Sequence, residues 1–304
     1  MSGVSTPRHE PIPIGEVAEP PFAHLPDPST LFATRAARFR TLAEGHQLAP
    51  YLNFLADLST TQHEVQQGLP APEMPAADAL ARAKDYGMPP LDRGKFTADA
   101  AFDDTLDRLL ARAASIAMPE PARVALDRVR AADAGKRALM LRAVLDDAIP
   151  VEALADHLFV AAALQVHFTR QAALLDAKSL KEVGDGACPA CGGAPVSSLV
   201  VGRAGAHNSR YCVCSLCATQ WNYVRIKCTI CGSTKGISYQ HVEHDKQVRA
   251  ETCDTCHTYV KVMQQIQNPA LDPVADDVAS LALDLMVREL GYRRGAVNPF
   301  MLGY

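Results

Sequence analysis

Four cysteine pairs with one common spacing constrain the fold of this 304-residue chain more than any other feature of its sequence. Each pair reads Cys-x-x-Cys, and the four are Cys188/Cys191, Cys214/Cys217, Cys228/Cys231 and Cys253/Cys256. Two intervening residues let both sulfurs face one ion from a single turn, as in the knuckles of zinc and iron sites. All nine cysteines lie within 188–256, so the thiols define one local module.

The gaps between the pairs indicate how the pairs combine. Twenty-two residues separate the first pair from the second, ten separate the second from the third, and twenty-one separate the third from the fourth. A hairpin or a small three-stranded ribbon fits each long gap. We therefore expect the first pair to join the second and the third to join the fourth, giving two successive four-thiolate sites. Interleaved pairing, as in treble-clef modules, is the alternative.

Four thiolates in a tetrahedron suit Zn²⁺ and also mononuclear iron, so we expect two mononuclear metal ions, iron or zinc. Ribbons this small bury little apolar surface, and the metal supplies folding energy. Gly192 and Gly232 follow two of the pairs and permit the turn that aims backbone N–H groups at the thiolates. Cys212 is expected to be a half-buried spare thiol. Three histidines of the module are not needed as ligands: His241, His244 and His257.

The residues before the cysteine module predict a proline-rich extended arm over 1–28 and a helical domain over 29–182. Seven prolines in the arm fix φ and remove donors. Ser29 or Thr30 is expected to cap the first helix, and a second helix is expected over about 48–67. Four more helices are expected between 97 and 178, with breaks at these residues: Pro119, Gly135 and Pro150.

The last of these helices is apolar on nearly every side, which predicts a central helix packed by its neighbours. Two histidines on it, His157 and His167, are expected to be ordinary packed or partly exposed side chains. After the helical domain we expect the first four-cysteine ribbon over 183–225 and the second over 226–268. The sequence thus predicts an α+β protein with an N-terminal helical domain, two tandem rubredoxin-like or zinc-ribbon modules, and a C-terminal helix.

The closing segment, 269–304, is expected to contain one helix capped by Asp272 and ended by Gly291. Its expected apolar stripe comprises Val274, Val278, Leu281 and Leu285. The acidic pair Asp276/Asp277 near the start of this helix is interpreted as a charge pattern at the positive helix end.

Composition and charge exclude several classes of function. A net charge of −4 argues against nucleic-acid binding. The segment 183–267 carries about +3, and this becomes about −1 once two divalent ions and eight thiolates are counted. The first residues lack a secretory pattern, which indicates a cytoplasmic protein, and no apolar run is long enough for membrane insertion. A phosphate loop, a nucleophile elbow and a metalloprotease helix are missing, so we do not expect an enzyme.

The run RYCVCSLCATQWNYVRIKCTICG, followed by RAETCDTCHTYVK and DPVADDVASLALDLMVRELGYRR, resembles the FdhE family of formate dehydrogenase accessory proteins. The resemblance is specific from Cys188 to Phe300, and before that it rests on helical character and length. Asn222 follows Trp221 at a position where the family has histidine. The resemblance implies a cytoplasmic maturation factor that binds the catalytic subunit of respiratory, molybdenum-dependent formate dehydrogenase. The alternative is a rubredoxin-like redox protein, for electron transfer or oxygen sensing.

Overall fold

The computed structural model describes residues 19–243 and 245–301. It confirms the predicted α+β class, with helices preceding a sheet that carries the cysteines. The N-terminal helices of the described chain are α1 Pro28–Ala43, α2 Ala49–Gly68, α3 Ala77–Asp85, α4 Ala100–Ala113, α5 Glu120–Ala131, α6 Ala134–Leu145 and α7 Leu154–Ala172.

The first helix begins earlier than the sequence predicted. Asp27 caps α1, because its carboxylate accepts the backbone N–H of Ser29 at 2.9 Å, and Pro28 occupies the first helical turn. The predicted caps, Ser29 and Thr30, therefore lie inside the helix. That prediction was wrong because the first apolar residue of the helix, Leu31, follows the true cap by a full turn.

Four helices do lie between 97 and 178, as predicted, and they are α4 to α7. The break expected near Gly135 falls just before that residue. Asp133 caps α6 by accepting the backbone N–H of Lys136 at 2.9 Å, which places Gly135 in the first turn of the helix. The breaks at Pro119 and Pro150 precede α5 and a short 3₁₀ turn.

Helix α7 is the centre of the helical domain, and α2, α4, α5 and α6 pack around it. Of the two expected states, packed or partly exposed, both of its histidines adopt the packed one and are buried. His157 contacts the carbonyl of Ala153 at 2.7 Å, and His167 packs among phenylalanine rings that include Phe102 and Phe168.

Within the described residues, the segment Val151–Ala172 is long and apolar enough to cross a membrane, but 72% of its apolar window is buried inside the protein.

The strands are β1 Ala23–His24, β2 Pro195–Val201, β3 Ser209–Cys214, β4 Gln220–Tyr223, β5 Ile237–Val242, β6 Asp245–Cys253, β7 Thr258–Met263 and β8 Arg293–Arg294. They form one sheet in the order β1-β4-β3-β2-β7-β6-β5, with β8 also paired to β7. The two predicted ribbons are thus halves of a single sheet. A parallel contact between β2 and β7 joins them, with Ser198 opposite Val262.

The sheet also includes the end of the predicted proline-rich arm. Residues 1–18 of that arm lie outside the described residues. Ala23 in β1 pairs antiparallel with Trp221 in β4, and the carbonyl of Pro21 accepts the Tyr211 hydroxyl at 2.7 Å. The residues just before α1 therefore add an edge strand to the first ribbon.

The C-terminal segment forms two short helices, α8 Ala275–Ala279 and α9 Leu281–Glu289, where one was predicted. The chain turns at Ser280, whose hydroxyl donates to the carbonyl of Asp276 at 2.6 Å. This turn shifts the apolar stripe, so that Leu283 and Val287 are buried while the predicted Leu285 is 45% exposed. Asp272 does accept backbone N–H groups before α8, at 2.8 and 2.9 Å.

After α9 the tail returns to the helical domain. The Val297 N–H donates to the carbonyl of Pro195 in β2 at 3.2 Å, and the Phe300 side chain is 1% exposed. The carbonyl of Phe300 accepts the hydroxyl of Tyr51 in α2 at 2.6 Å. The tail therefore ties the sheet to the helices.

Candidate metal centres

Eight of the nine cysteines form two clusters of four sulfurs. The first cluster contains Cys188, Cys191, Cys214 and Cys217, and the second contains Cys228, Cys231, Cys253 and Cys256. In each cluster the four sulfurs lie within 4.8 Å of one another. The first pair meets the second and the third meets the fourth, which is the grouping expected from the gap lengths.

The sulfur separations match those of a tetrahedral thiolate site. Metal–sulfur bonds of about 2.3 Å in a tetrahedron place the sulfurs about 3.8 Å apart. In the first cluster the sulfurs of Cys188 and Cys217 are 3.6 Å apart, and those of Cys191 and Cys214 are 3.4 Å apart. Two contacts of the second cluster measure 3.7 Å each. The donor set and its spacing therefore fit one thiophilic ion, zinc or iron, per cluster.

The four Cys-x-x-Cys turns, called knuckles here, share one backbone conformation. The residue that follows the second cysteine of each pair adopts a left-handed conformation, with φ between +52° and +77°. Gly192 and Gly232 fill this position in two knuckles, as the sequence indicated. Ala218 and His257 fill it in the others despite the cost of a Cβ atom there. The turn aims N–H groups at sulfur, and the Ile230 N–H donates to Cys228 Sγ at 3.4 Å.

The surroundings of the two clusters shift the pKa values of several thiols in opposite directions. Burial raises the pKa of Cys214, but hydrogen bonds from the other thiols outweigh burial and bring its pKa well below the ordinary value. Burial also raises the pKa of Cys253, but hydrogen bonds from the backbone N–H groups of Cys256 and Thr255 outweigh burial and lower that pKa to about 7. Burial raises the pKa of Cys188 well above the ordinary value. The thiolate is the form that binds metal, so these surroundings favour the metal-binding form at Cys214 and Cys253.

Cys212 lies outside both clusters, as predicted, but it is fully buried and not half-buried. Its sulfur lies 3.6 Å from the Ser198 hydroxyl, and burial raises the pKa of the thiol. Beside it, the Arg210 guanidinium of the first ribbon meets the Glu251 carboxylate of the second at 2.9 Å. The same guanidinium donates to the Lys227 carbonyl at 3.1 Å, so this buried pair holds the two ribbons together next to the second cluster.

The acidic pair Asp276/Asp277 lies in the first turn of α8, as predicted, but both side chains are buried, with 3% and 0% exposure. Asp276 accepts two hydrogen bonds from Arg38 of α1, at 2.6 and 2.9 Å. Asp277 belongs to a buried charge cluster whose members are Lys261, Asp277, Asp284 and Arg294. The signal that could have found this cluster is Lys261, a lone charge in the apolar strand TYVKVM.

The remaining candidates of the module lie outside the clusters. Trp221 is 3% exposed, and it packs in the first ribbon between β1 and β3. Asn222 donates its side-chain amide to the Arg210 carbonyl at 3.3 Å. Lys227 pairs with Asp185. Of the three unassigned histidines, two lie outside the four-sulfur groups among the described residues, and His244 is not a described residue.

Comparison with known proteins gives consistent matches along the chain. Three family models match consecutive segments: "FdhE, N-terminal" over residues 20–185, "FdhE, central domain" over 187–225 and "FdhE, C-terminal domain" over 226–301. A protein FdhE homolog of Rhizobium meliloti is 46% identical over 304 residues, which is 99% of each chain. A homolog of Pseudomonas aeruginosa is 36% identical over 92% of each chain.

The fold gives the same match. The crystal structure of the FdhE protein from Pseudomonas aeruginosa superposes with a TM-score of 0.82 at 33% sequence identity. The superposition covers 93% of this chain and 99% of that one. Full-length similarity in sequence and in structure shows that this chain belongs to the FdhE family of formate dehydrogenase accessory proteins.

Proposed function

We propose that this protein binds the immature catalytic subunit of a respiratory, molybdenum-dependent formate dehydrogenase and is needed for that subunit to become active. The observation that carries the proposal is a full-length FdhE match in a chain whose eight knuckle cysteines form two four-sulfur clusters. It acts as a binding factor in the cytoplasm, where thiols stay reduced, and not as an enzyme.

We propose that each cluster binds one mononuclear ion, iron or zinc, through its four thiolates. The ion supplies folding energy to a ribbon that has little core of its own. The same proposal divides the chain into functional units: an arm 1–28, a helical domain 29–182, ribbons 183–225 and 226–268, and a closing segment 269–304. The ion-stiffened turns of the ribbons, together with the adjoining helical surface, form the face that meets the client.

Affinity capture tests this proposal. The tagged protein is isolated from formate-grown anaerobic cells, and the accompanying proteins are identified by mass spectrometry. We expect the catalytic subunit of formate dehydrogenase in the eluate. An eluate without that subunit, but with a redox partner and the absorption of a ferric four-thiolate site, would point to electron transfer instead.

Cysteine variants connect the capture to the clusters. Double replacement by alanine at Cys188/Cys191 or at Cys253/Cys256 should unfold the corresponding ribbon and abolish capture. The matched control is Cys212→Ala, which removes a buried thiol of the same module outside both clusters. This control should retain capture. Undiminished capture by both double variants would contradict a role of the metal-stiffened ribbons in binding the client.

A further inference from the structure

We propose that the two clusters differ in kind: the first is a closed structural site, whereas the second is an open site whose metal exchanges with ligands from solution through Cys231. The inference rests on the proposed metal binding and goes beyond it, because equal clusters would hold their ions equally well. The ligands that the open site admits are small, soft donors such as thiolates and aromatic nitrogen chelators.

The sulfurs of the first cluster are sealed by the helical domain. Its four cysteines are between 0% and 2% exposed. The loop between α3 and α4 lies across the first knuckle, where the Leu91 N–H donates to the Ala190 carbonyl at 2.8 Å and the Arg93 N–H donates to the Cys191 carbonyl at 3.1 Å. These are backbone contacts, so a fluctuation of one side chain does not open the site.

Backbone also covers the sulfurs from within the ribbon. A Cβ atom on Gly193 would lie 3.2 Å from Cys214 Sγ and 3.3 Å from Cys191 Sγ, and 3.9 Å from Arg93 Cδ. The main chain at this glycine thus lies directly against two of the four sulfurs. Opening this side of the cluster requires movement of the knuckle itself.

The second knuckle of the first cluster is fixed to the central helix. Gln165 of α7 donates its amide to the Ser215 carbonyl at 2.8 Å, and the Ser215 N–H donates to the Ala194 carbonyl at 3.2 Å. Gln165 is 3% exposed. A ligand therefore reaches the first ion only when the sheet separates from the helical domain, which is a large and infrequent opening.

The second cluster has the same ligands but a different cover. Cys231 is exposed and Cys256 is partly exposed, whereas Cys228 and Cys253 are buried. Three of the four residues within its knuckles face solvent too, since Ile230 is 39% exposed and Asp254 and Thr255 are exposed, while Thr229 is buried. One edge of this cluster, the Cys231 edge, therefore opens directly to solvent.

Ligand exchange at a tetrahedral zinc ion passes through expanded coordination, so a competing donor must reach the ion before a thiolate leaves. An exposed sulfur offers both the path of approach and room to move away. In the second cluster Cys231 supplies both, and the first cluster supplies neither. The chemistry thus predicts sequential loss, with the second ion leaving first.

Chelator competition on the full-length protein loaded with zinc tests the inference. Zinc release to 4-(2-pyridylazo)resorcinol is followed by absorbance, and total zinc per chain is measured first. We expect two phases of one ion each, with rates that differ at least tenfold. Cys231→Ser should eliminate the fast phase, and the matched variant Cys191→Ser should eliminate the slow phase.

Alkylation of the wild-type protein gives a second readout, which does not depend on whether the variants fold. With iodoacetamide and mass spectrometry, we expect Cys231 and Cys256 to be labelled during the fast phase, while cysteines of the first cluster stay unlabelled until the slow phase. Gln165→Ala, which removes the hydrogen bond between α7 and the second knuckle of the first cluster, should accelerate the slow phase alone.

The outcomes separate this inference from the proposal beneath it. A single phase that releases both ions, or labelling of both clusters at one rate, would overturn the inference and leave metal binding intact. A fast ion assigned to the first cluster would also overturn it. A folded protein that binds no ion would overturn metal binding itself, and the inference with it.

Discussion

Removal of the Lys261 charge is the sharpest test of the energetics of this fold. The Lys261 ammonium lies 2.5 Å from an Asp284 oxygen and 3.3 Å from an Asp277 oxygen, and all three side chains are 0% exposed. Arg294 completes the cluster with 8% exposure, so two cations balance two carboxylates. Lys261→Met keeps the apolar stem but leaves a net buried charge of −1.

We expect Lys261→Met to lower the free energy of unfolding by about 3–5 kcal/mol, the usual cost of removing one partner from a buried ion pair. The ammonium also donates to the Asp277 carbonyl at 2.7 Å and to the Ser280 hydroxyl at 2.9 Å, and the variant lacks both of these hydrogen bonds. The assay is urea unfolding at saturating zinc, followed by the fluorescence of Trp221, the single tryptophan, which lies in the same sheet.

Two further variants decide whether charge is the cause. Lys246→Met, on an exposed position of β6, should change the unfolding free energy by less than about 0.5 kcal/mol. The double variant Lys261→Met/Asp284→Asn restores the neutrality of the buried charge cluster. We expect a coupling free energy of about 1–3 kcal/mol between the two substitutions. Equal losses for Lys261→Met and Lys246→Met, or strictly additive losses in the double variant, would refute the reasoning.

Two more predictions concern a turn and a histidine. At Gly186, φ is +68° and an added Cβ would lie 1.9 Å from the Thr229 carbonyl oxygen. We therefore expect Gly186→Ala to lower the free energy of unfolding in urea by more than about 3 kcal/mol. Gly205→Ala, at φ +74° with open space, should cost only about 1–2 kcal/mol, and similar losses would contradict this account. Burial lowers the pKa of His167 in the folded protein. Just below pH 6.5 the unfolded chain therefore binds more protons than the folded one. The free energy of unfolding should fall there by up to about 1.4 kcal/mol per pH unit as the pH decreases. His167→Gln should reduce this slope and the exposed His241→Gln should not. An unchanged slope in His167→Gln would exclude His167 as a source of it.

The elements that could be predicted from sequence are those specified by local chemistry. A Cys-x-x-Cys knuckle is a single turn, and gap lengths limit which knuckles can reach each other, so the grouping of Cys188 with Cys217 and of Cys228 with Cys256 followed from counting. Helical periodicity likewise revealed the central helix α7, because a helix that is apolar on every side has to be surrounded. The start of α1 was predicted too late in the chain, because Asp27 and Ser29 are both residue types that cap helices well.

Other features depended on residues distant in the chain. The acidic residues of α8 look alike in sequence whether they are solvated or buried. Asp277 is buried as a charged group because Lys261 and Arg294, which lie on other elements, form ion pairs with it. The two clusters have identical ligands, so no count of cysteines could tell the closed one from the open one. That difference arises because α7 and the loop before α4 cover one cluster, and coverage is a property of packing between distant segments.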